Sequence, residues 1–122
     1  MEGFKSKNAF AARLNESQRI LMKFPERIPI VCEKEKAKSS YILPELVKQK
    51  FLVPKDIKVF EFMSVIRNKL NIGPEYAIFI TINGMIPSST NIMSHIYNEQ
   101  KDEDGFLYVT YGAENTFGFE LD

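Results

Sequence analysis

Residues in the first part of the chain recur at helical spacing. The row consists of Phe10, Leu14, Ser17, Leu21 and Phe24. Steps of three and four positions predict one amphipathic helix over residues 5–24, ended by Pro25, with this row against the domain. Glu16 and Ile20 lie off the row, so their side chains are free to face another element.

Four later segments have the composition of β-strands. They are Arg27–Lys34, Lys50–Pro54, Tyr76–Ile82 and Phe106–Tyr111, which are rich in β-branched and aromatic residues. Successive side chains of a strand point to opposite faces, and in the first and last segments both faces are largely apolar. We therefore expect these two strands to be covered on both sides, the last in the middle of the sheet and the first with the N-terminal helix over one face.

Two further helices are predicted between the strands. Asp56 is a suitable N-cap, and a helical apolar row follows it until the break at Asn71–Pro74. The row consists of Val59, Phe62, Met63, Ile66 and Leu70. Asn83-Gly84 indicates a tight turn after the third strand, and a short helix is expected over residues 92–97.

The order of these elements predicts the fold class. Helix, strand, strand, helix, strand, short helix and strand make an α+β domain in which the last strand lies parallel to the first. This is the ubiquitin-like β-grasp arrangement with an N-terminal helical extension. We divide the chain into the extension at 1–26, the β-grasp core at 27–112 and a C-terminal tail at 113–122.

The second predicted strand has the features of a sheet edge. Lys50–Pro54 is short, ends in proline and is flanked by Lys48, all of which protect an edge from unwanted pairing. Its side chains are nevertheless apolar on both faces, and an apolar edge with a basic rim is also where a partner strand docks. Pro29, in the strand before it, lacks an N–H and fits the sheet if its donor side faces a gap or groove.

Length and cysteine usage limit the class of protein. A chain of 122 residues forms one domain with a substantial core. The sequence contains neither a secretory signal nor an apolar run of membrane length. The single cysteine, Cys32, lies in an apolar run, which is typical of a buried thiol in a reducing compartment.

The charges are balanced in total but unevenly distributed. Residues 27–69 carry ten Lys or Arg against five Asp or Glu, whereas residues 98–122 carry one Lys against seven acids. This favours an acidic peptide as partner over a nucleic acid, which would require a basic domain. We predict no enzyme and no catalytic residue, because His95 and Cys32 are the only candidates for a nucleophile pair and Cys32 is expected in the core. We predict no metal site and no cofactor, because the sequence has neither a metal-ligand cluster nor a phosphate-binding loop.

The segment after the last predicted strand has no periodicity. Gly112–Gly118 is followed by four residues, Phe119–Asp122. Such an end has two interpretations: an ordinary frayed terminus, or the short tail with which a ubiquitin-like modifier presents a glycine.

Several segments together carry a resemblance to a known family. They are Lys23–Ile30, Glu33–Lys34, Lys50–Pro54, Val65–Arg67, Lys101–Tyr108 and Asn115–Gly118. In their order and spacing the chain resembles the autophagy ubiquitin-like modifiers, the family of GABARAP and microtubule-associated-protein light chain 3, over almost its full length.

The resemblance implies a modifier made as a precursor. A processing cysteine protease would cut after Gly118, and activating and conjugating enzymes would transfer the glycine carboxyl to the amine of phosphatidylethanolamine. The protein would be cytoplasmic before lipidation and lie on the autophagosome membrane afterwards. The alternative is a non-conjugated peptide-binding scaffold that links trafficking or cytoskeletal proteins, which has no need of a cleavable junction at Gly118.

The family also binds cargo receptors and adaptors that carry an aromatic-x-x-aliphatic motif with acidic residues in front. The resemblance places an aromatic pocket at Glu16, Ile20, Pro29, Val31, Lys50, Leu52 and Phe106. It places an aliphatic pocket at Phe51, Val53, Pro54, Ile57, Phe62, Val65 and Ile66. The residues expected to contact the acids are Arg27, Lys48, Lys50 and Lys69. Each pocket residue could instead serve only in core packing.

The chain departs from the family pattern in three places. The loop Glu35–Gln49 is longer, which would alter the approach to the basic edge. Lys69 replaces a docking arginine and loses its bidentate geometry. Ala12 and Leu14 flank Arg13 where several members are basic. These departures bear on the range of partners.

Overall fold

The structure, a computed structural model, describes residues 3–36 and 42–113. Within these residues four strands form one mixed sheet in the order β2-β1-β4-β3. The strands are β1 Arg27–Lys34, β2 Lys50–Pro54, β3 Ile78–Thr81 and β4 Leu107–Ala113. The helices are α1 Phe4–Lys7, α2 Phe10–Lys23, α3 Val59–Leu70 and α4 Met93–Gln100. The predicted α+β β-grasp fold with an N-terminal helical region is confirmed.

The two central strands, β1 and β4, are the two that the sequence predicts to be covered on both faces. β1 and β4 run parallel, with Ile30 opposite Leu107, while β2 is antiparallel to β1 and β3 is antiparallel to β4. The bounds predicted for β1 and β2 match the structure. β4 extends to Ala113, two residues beyond its predicted end, so the boundary predicted between the core at 27–112 and the tail at 113–122 is one residue too early. The rest of the predicted tail, 114–122 with Gly118, lies outside the described residues.

One face of the sheet carries the main core. Four residues of the predicted inward row of α3 are buried, with Phe62 and Ile66 at 0% exposure, and the fifth, Met63, is half-buried against the core. Leu43 and Leu46, from the loop before β2, complete the core. The hydroxyl of Tyr111 donates to the carbonyl of Pro44 over 2.8 Å and anchors this loop.

The N-terminal helices lie on the other face of the sheet. The single helix predicted over residues 5–24 is wrong, because the chain forms α1 and α2 with extended backbone at Asn8 and Ala9 between them. In the predicted inward row Ser17 is buried, but Phe10 and Phe24, at its two ends, are 45% and 38% exposed. The row therefore packs against the domain only along its middle.

A buried carboxylate joins α2 to the turn before β4. Asp104 is 0% exposed, and its side chain accepts hydrogen bonds from Arg13 (2.6 Å), from the Tyr108 hydroxyl (2.5 Å) and from the Phe106 amide (2.9 Å). Its backbone carbonyl accepts the Ser17 hydroxyl. Burial raises the pKa of Tyr108, and the bond to Asp104 raises it further, so the hydroxyl stays a donor.

The start of α3 differs from the prediction. Lys58, not Asp56, precedes the first helical residue, and its amide donates to the Glu61 carboxylate over 2.9 Å. The amides of Val59 and Phe60 donate to carbonyls of the 89–91 segment. Because carbonyls of a distant backbone segment accept the free amides of the first turn, the helix needs no N-cap side chain at Asp56.

Two features of the described residues bear on chemistry. Cys32 is 0% exposed and burial raises the pKa of its thiol, so it is an inert core residue, as predicted. Within the described ranges His, Cys, Asp and Glu form no cluster that could ligate a metal.

In the same ranges every helix is too short or too polar to cross a bilayer.

Candidate functional site

Among the strands of residues 3–36 and 42–113, β2 pairs only with β1, so its outer side is an edge of the sheet, as the sequence predicts. The Cys32 amide donates to the Gln49 carbonyl over 2.8 Å, so these two residues form a hydrogen-bonded pair of the β1–β2 ladder. Such pairs alternate with non-bonded ones, and the peptide groups of Lys50 and Leu52 therefore face away from β1. They are the groups with which an added strand would pair.

The same alternation explains how Pro29 fits into β1. Pro29 lies opposite Leu52 in a non-bonded pair, so its nitrogen faces the β4 side. There the pairing of β1 with β4 begins only one residue later, at Ile30 and Leu107. The missing N–H consequently interrupts no ladder hydrogen bond between the paired residues.

The residues of the predicted aromatic pocket converge on one face of β2. Leu52 lies beside Pro29, and Lys50 lies opposite Val31. Glu16 of α2 accepts an ion pair from the Lys50 ammonium at 2.6 Å. Ile20, one turn further along α2, lies on the same side of the helix.

The residues of this predicted pocket would give it an exposed rim and a buried floor. On the rim Leu52 is 36% exposed, and the side chains of Lys50 and Glu16 are 48% and 28% exposed. Pro29, Val31 and Phe106 form the floor and are buried.

Phe51 and Val53 of the predicted aliphatic pocket lie on the opposite face of β2, toward α3, whereas Pro54 ends the strand on the face of Leu52. The Phe51 and Phe62 rings make an edge-to-face contact with centroids 5.6 Å apart. Val53, Phe62 and Ile66 are buried members of the main core, so they can provide only a floor. The accessible walls are half-buried or exposed, namely Phe51, Pro54, Ile57 and Val65.

The four predicted basic contacts differ in their surroundings. Lys48, just before β2, is exposed. Arg27 donates to the outward carbonyl of Leu52 over 3.0 Å, so its guanidinium already lies at the free edge. Lys50, on the rim of the predicted aromatic pocket, already forms an ion pair with Glu16. Lys69 is exposed in the last turn of α3.

One residue at this site carried no recognisable signal in the sequence. The Phe4 ring makes an edge-to-face contact with Phe106, with centroids 5.4 Å apart, and the Lys50 ammonium lies 5.6 Å from the Phe4 centroid. Phe4 therefore contacts the floor and the rim of the aromatic pocket together. A single apolar residue in a polar N-terminus has no periodicity from which this could be inferred.

The chain matches a family model and several known proteins. The model described as "Autophagy protein Atg8 ubiquitin like" matches residues 12–118. The chain is 49% identical to autophagy-related protein 8 of Candida glabrata over 117 residues, which cover 96% of this chain and 97% of that protein.

Two solved structures are also similar. Trypanosoma brucei ATG8 superposes with a TM-score of 0.86 at 36% identity, covering 93% of this chain and 96% of that one. Plasmodium falciparum Atg8, solved in complex with a Plasmodium falciparum Atg3 peptide, has a TM-score of 0.83 at 32% identity and covers 93% and 98%.

Proposed function

This chain belongs to the Atg8 family of autophagy ubiquitin-like proteins, and from that premise we propose how it acts as a modifier. A protease cuts after Gly118, and the exposed glycine carboxyl is conjugated to phosphatidylethanolamine. The lipidated protein then recruits cargo receptors and adaptors through their aromatic-x-x-aliphatic motifs. The match to the family model ends at Gly118, four residues before Asp122, which supports that position as the processing point.

One observation carries the peptide-binding part of the proposal. The outward peptide groups of Lys50 and Leu52 lie between apolar side chains on both faces of β2. An extended peptide paired with this edge would point alternate side chains to the two faces. An odd spacing such as aromatic-x-x-aliphatic reaches both pockets, because residues three apart in a strand face opposite sides.

The partners follow from the same proposal. The activating and conjugating enzymes of the pathway must handle the tail beyond Ala113. The Plasmodium relative, solved in complex with an Atg3 peptide, supports a partner from the conjugation pathway. The modifier itself performs no chemistry, because the thioesters form on its partners. It is cytoplasmic before conjugation and bound to the autophagosome membrane afterwards.

Leu52→Ala tests the pocket with little cost to the fold. Leu52 is 36% exposed and does not belong to the main core, so we expect the domain to stay folded without its side chain, whereas a bound aromatic residue would lose one apolar wall. Covering a leucine side chain contributes about 1.5–3 kcal/mol, and we expect the affinity for an acidic aromatic-x-x-aliphatic peptide to fall about tenfold. Titration calorimetry measures the change.

Val47→Ala is the matched control. Val47 is 96% exposed, lies shortly before β2 and belongs to neither predicted pocket. Its removal should leave the affinity unchanged. If Leu52→Ala and the parent chain bind the peptide equally, the assignment of the aromatic pocket is wrong.

Lys48→Ala should slow the association of the peptide rather than speed its release. Lys48 is exposed at the free edge, so its charge attracts the acidic part of the peptide over a distance. We expect the association rate to fall about two- to threefold at 0.01 M salt and to equal the parent's at 1 M, where the Debye length is about 3 Å. Lys101→Ala removes the same charge from the acidic turn before β4 and should have little effect in stopped-flow measurements. Equal rates for Lys48→Ala and the parent at low salt would contradict a steering role.

A further inference from the structure

Helix α1 is held on the domain by its contacts with other elements and not by its own helical stability. It has four residues, none of them buried, and Gly3 offers no side-chain cap. A helix this short does not form alone in water. The Phe4 amide donates to Glu33 over 2.7 Å, and Lys5 forms an ion pair with Asp102 at 2.5 Å, with its own side chain 52% exposed.

The main apolar contact of α1 is with the aromatic pocket. The Phe4 ring meets Phe106 edge to face at 5.4 Å and also lies 6.4 Å from the Tyr108 ring. Phe106 is 0% exposed in this arrangement. A partner's aromatic side chain can contact Phe106 only if a group that covers it moves, and the half-buried Phe4 is on the weakly held helix.

Lys50 connects this contact to the rim of the pocket. Its ammonium lies 5.6 Å from the Phe4 centroid and 2.6 Å from the Glu16 carboxylate. The same charge therefore holds α1, through a cation–π contact, and α2, through an ion pair. An acidic residue of a peptide that attracted Lys50 would weaken both contacts.

We propose that Phe4 is an intramolecular competitor for the aromatic pocket. With α1 docked, Phe4 and Lys50 keep the pocket closed, and a partner's aromatic residue enters by displacing Phe4 from Phe106. Acidic residues in front of the motif assist by drawing Lys50 away from Phe4 and Glu16. The inference rests on the proposed peptide binding and adds its regulation by the N-terminal segment.

Phe4→Ala should strengthen peptide binding. We expect the affinity for an acidic aromatic-x-x-aliphatic peptide to rise about fivefold in titration calorimetry, which corresponds to about 1 kcal/mol. Phe10→Ala is the matched control, since it removes a phenylalanine from the next helix, where the ring is 45% exposed and lies near Arg13. It should bind as the parent does. Equal or weaker binding by Phe4→Ala would overturn the proposal, because Phe4 would then be irrelevant or would support the pocket.

Lys5→Ala provides a test that leaves Phe4 in place. It removes the ion pair with Asp102 and the contact with the Tyr108 ring, so α1 should be released more often without any change to a pocket residue. We expect a smaller gain, about twofold, because surface ion pairs contribute little. Lys7→Ala removes the same charge from α1 and retains the contact with Asp102, and it should show no gain. Equal affinities for the two variants would count against release of α1 as the cause.

Hydrogen exchange distinguishes failure of this inference from failure of the proposed function. Binding of the peptide to the parent chain should speed exchange of the amides of residues 4–7, as α1 leaves the domain. If the peptide binds the parent and the exchange of residues 4–7 is unchanged, the competitor role is wrong and the peptide-binding function stands. If the peptide binds neither the parent nor Phe4→Ala, the proposed function fails and the inference fails with it. Binding by Phe4→Ala alone would support both.

Discussion

Gly118→Ala should abolish processing and lipid conjugation while leaving the folded domain and its peptide binding unchanged. The last described strand ends at Ala113, five residues earlier, so position 118 belongs to no element of the described part of the fold. A Cβ restricts the backbone to fewer conformations and widens the chain where the protease and the later thioester enzymes must enclose it. Intact mass after incubation with the processing protease and the conjugating enzymes measures the effect.

Two further chains separate the steps. Glu120→Ala changes the segment to be released, keeps Gly118 and should be cut as the parent is. A chain that ends at Gly118 should be conjugated without the protease. If Gly118→Ala still acquires a lipid, Gly118 is not the attachment point. If the unmodified chain is neither cut nor lipidated, the non-conjugated scaffold is the better description of this protein.

Asp104→Ala should destabilise the domain by about 3–5 kcal/mol, a large part of the 5–15 kcal/mol typical of a folded domain. The substitution leaves the Arg13 guanidinium, whose side chain is 11% exposed, without its carboxylate. It also deprives the Tyr108 hydroxyl and the Phe106 amide of their acceptor. Burying unpaired donors is costly because they have lost their hydration. Urea unfolding monitored by circular dichroism measures the difference.

Glu103→Ala is the control for Asp104→Ala. Glu103 is the preceding acid and is exposed, so its loss should change the free energy of unfolding by less than about 0.5 kcal/mol. A loss below about 1 kcal/mol for Asp104→Ala would mean that the buried carboxylate contributes little to the packing of α2. Asp104→Asn retains an acceptor for the Phe106 amide, so its loss of unfolding free energy should lie between those of Asp104→Ala and Glu103→Ala.

The proposed competition by Phe4, under which the aromatic pocket is closed in the free protein, also affects how affinities should be compared. Pro29, Val31 and Phe106 are buried, and Lys50 is engaged by Glu16 and Phe4. A peptide must supply enough binding free energy to open this arrangement, so its measured affinity is lower than its affinity for the open form. Substitutions that open the pocket should therefore raise the affinity for the peptide, and those that remove its walls should lower it.

The sequence by itself determined the elements whose signals are local. β1 and β4 are apolar on both faces and are the central strands, and Lys50–Pro54 is short, basic at its flank and lies at the edge. The helical row of α3 is buried as its spacing predicts. These signals are readable because the period of side chains along a strand or helix is set by backbone geometry within a few residues.

The tertiary structure alone decided the contacts between residues far apart in sequence. Arg13 and Asp104 are separated by 91 positions, and neither the burial of Asp104 nor the contact of Phe4 with Phe106 leaves a periodic trace. The break between α1 and α2 and the capping of α3 by the 89–91 segment likewise depend on which surfaces the fold brings together. The periodicity of the chain indicated the apolar edge at which the two pockets are predicted. The contacts of Phe4 with Phe106 and of Lys50 with the Phe4 ring, on which the proposed closure of the aromatic pocket rests, follow only from the packing of α1 against the sheet.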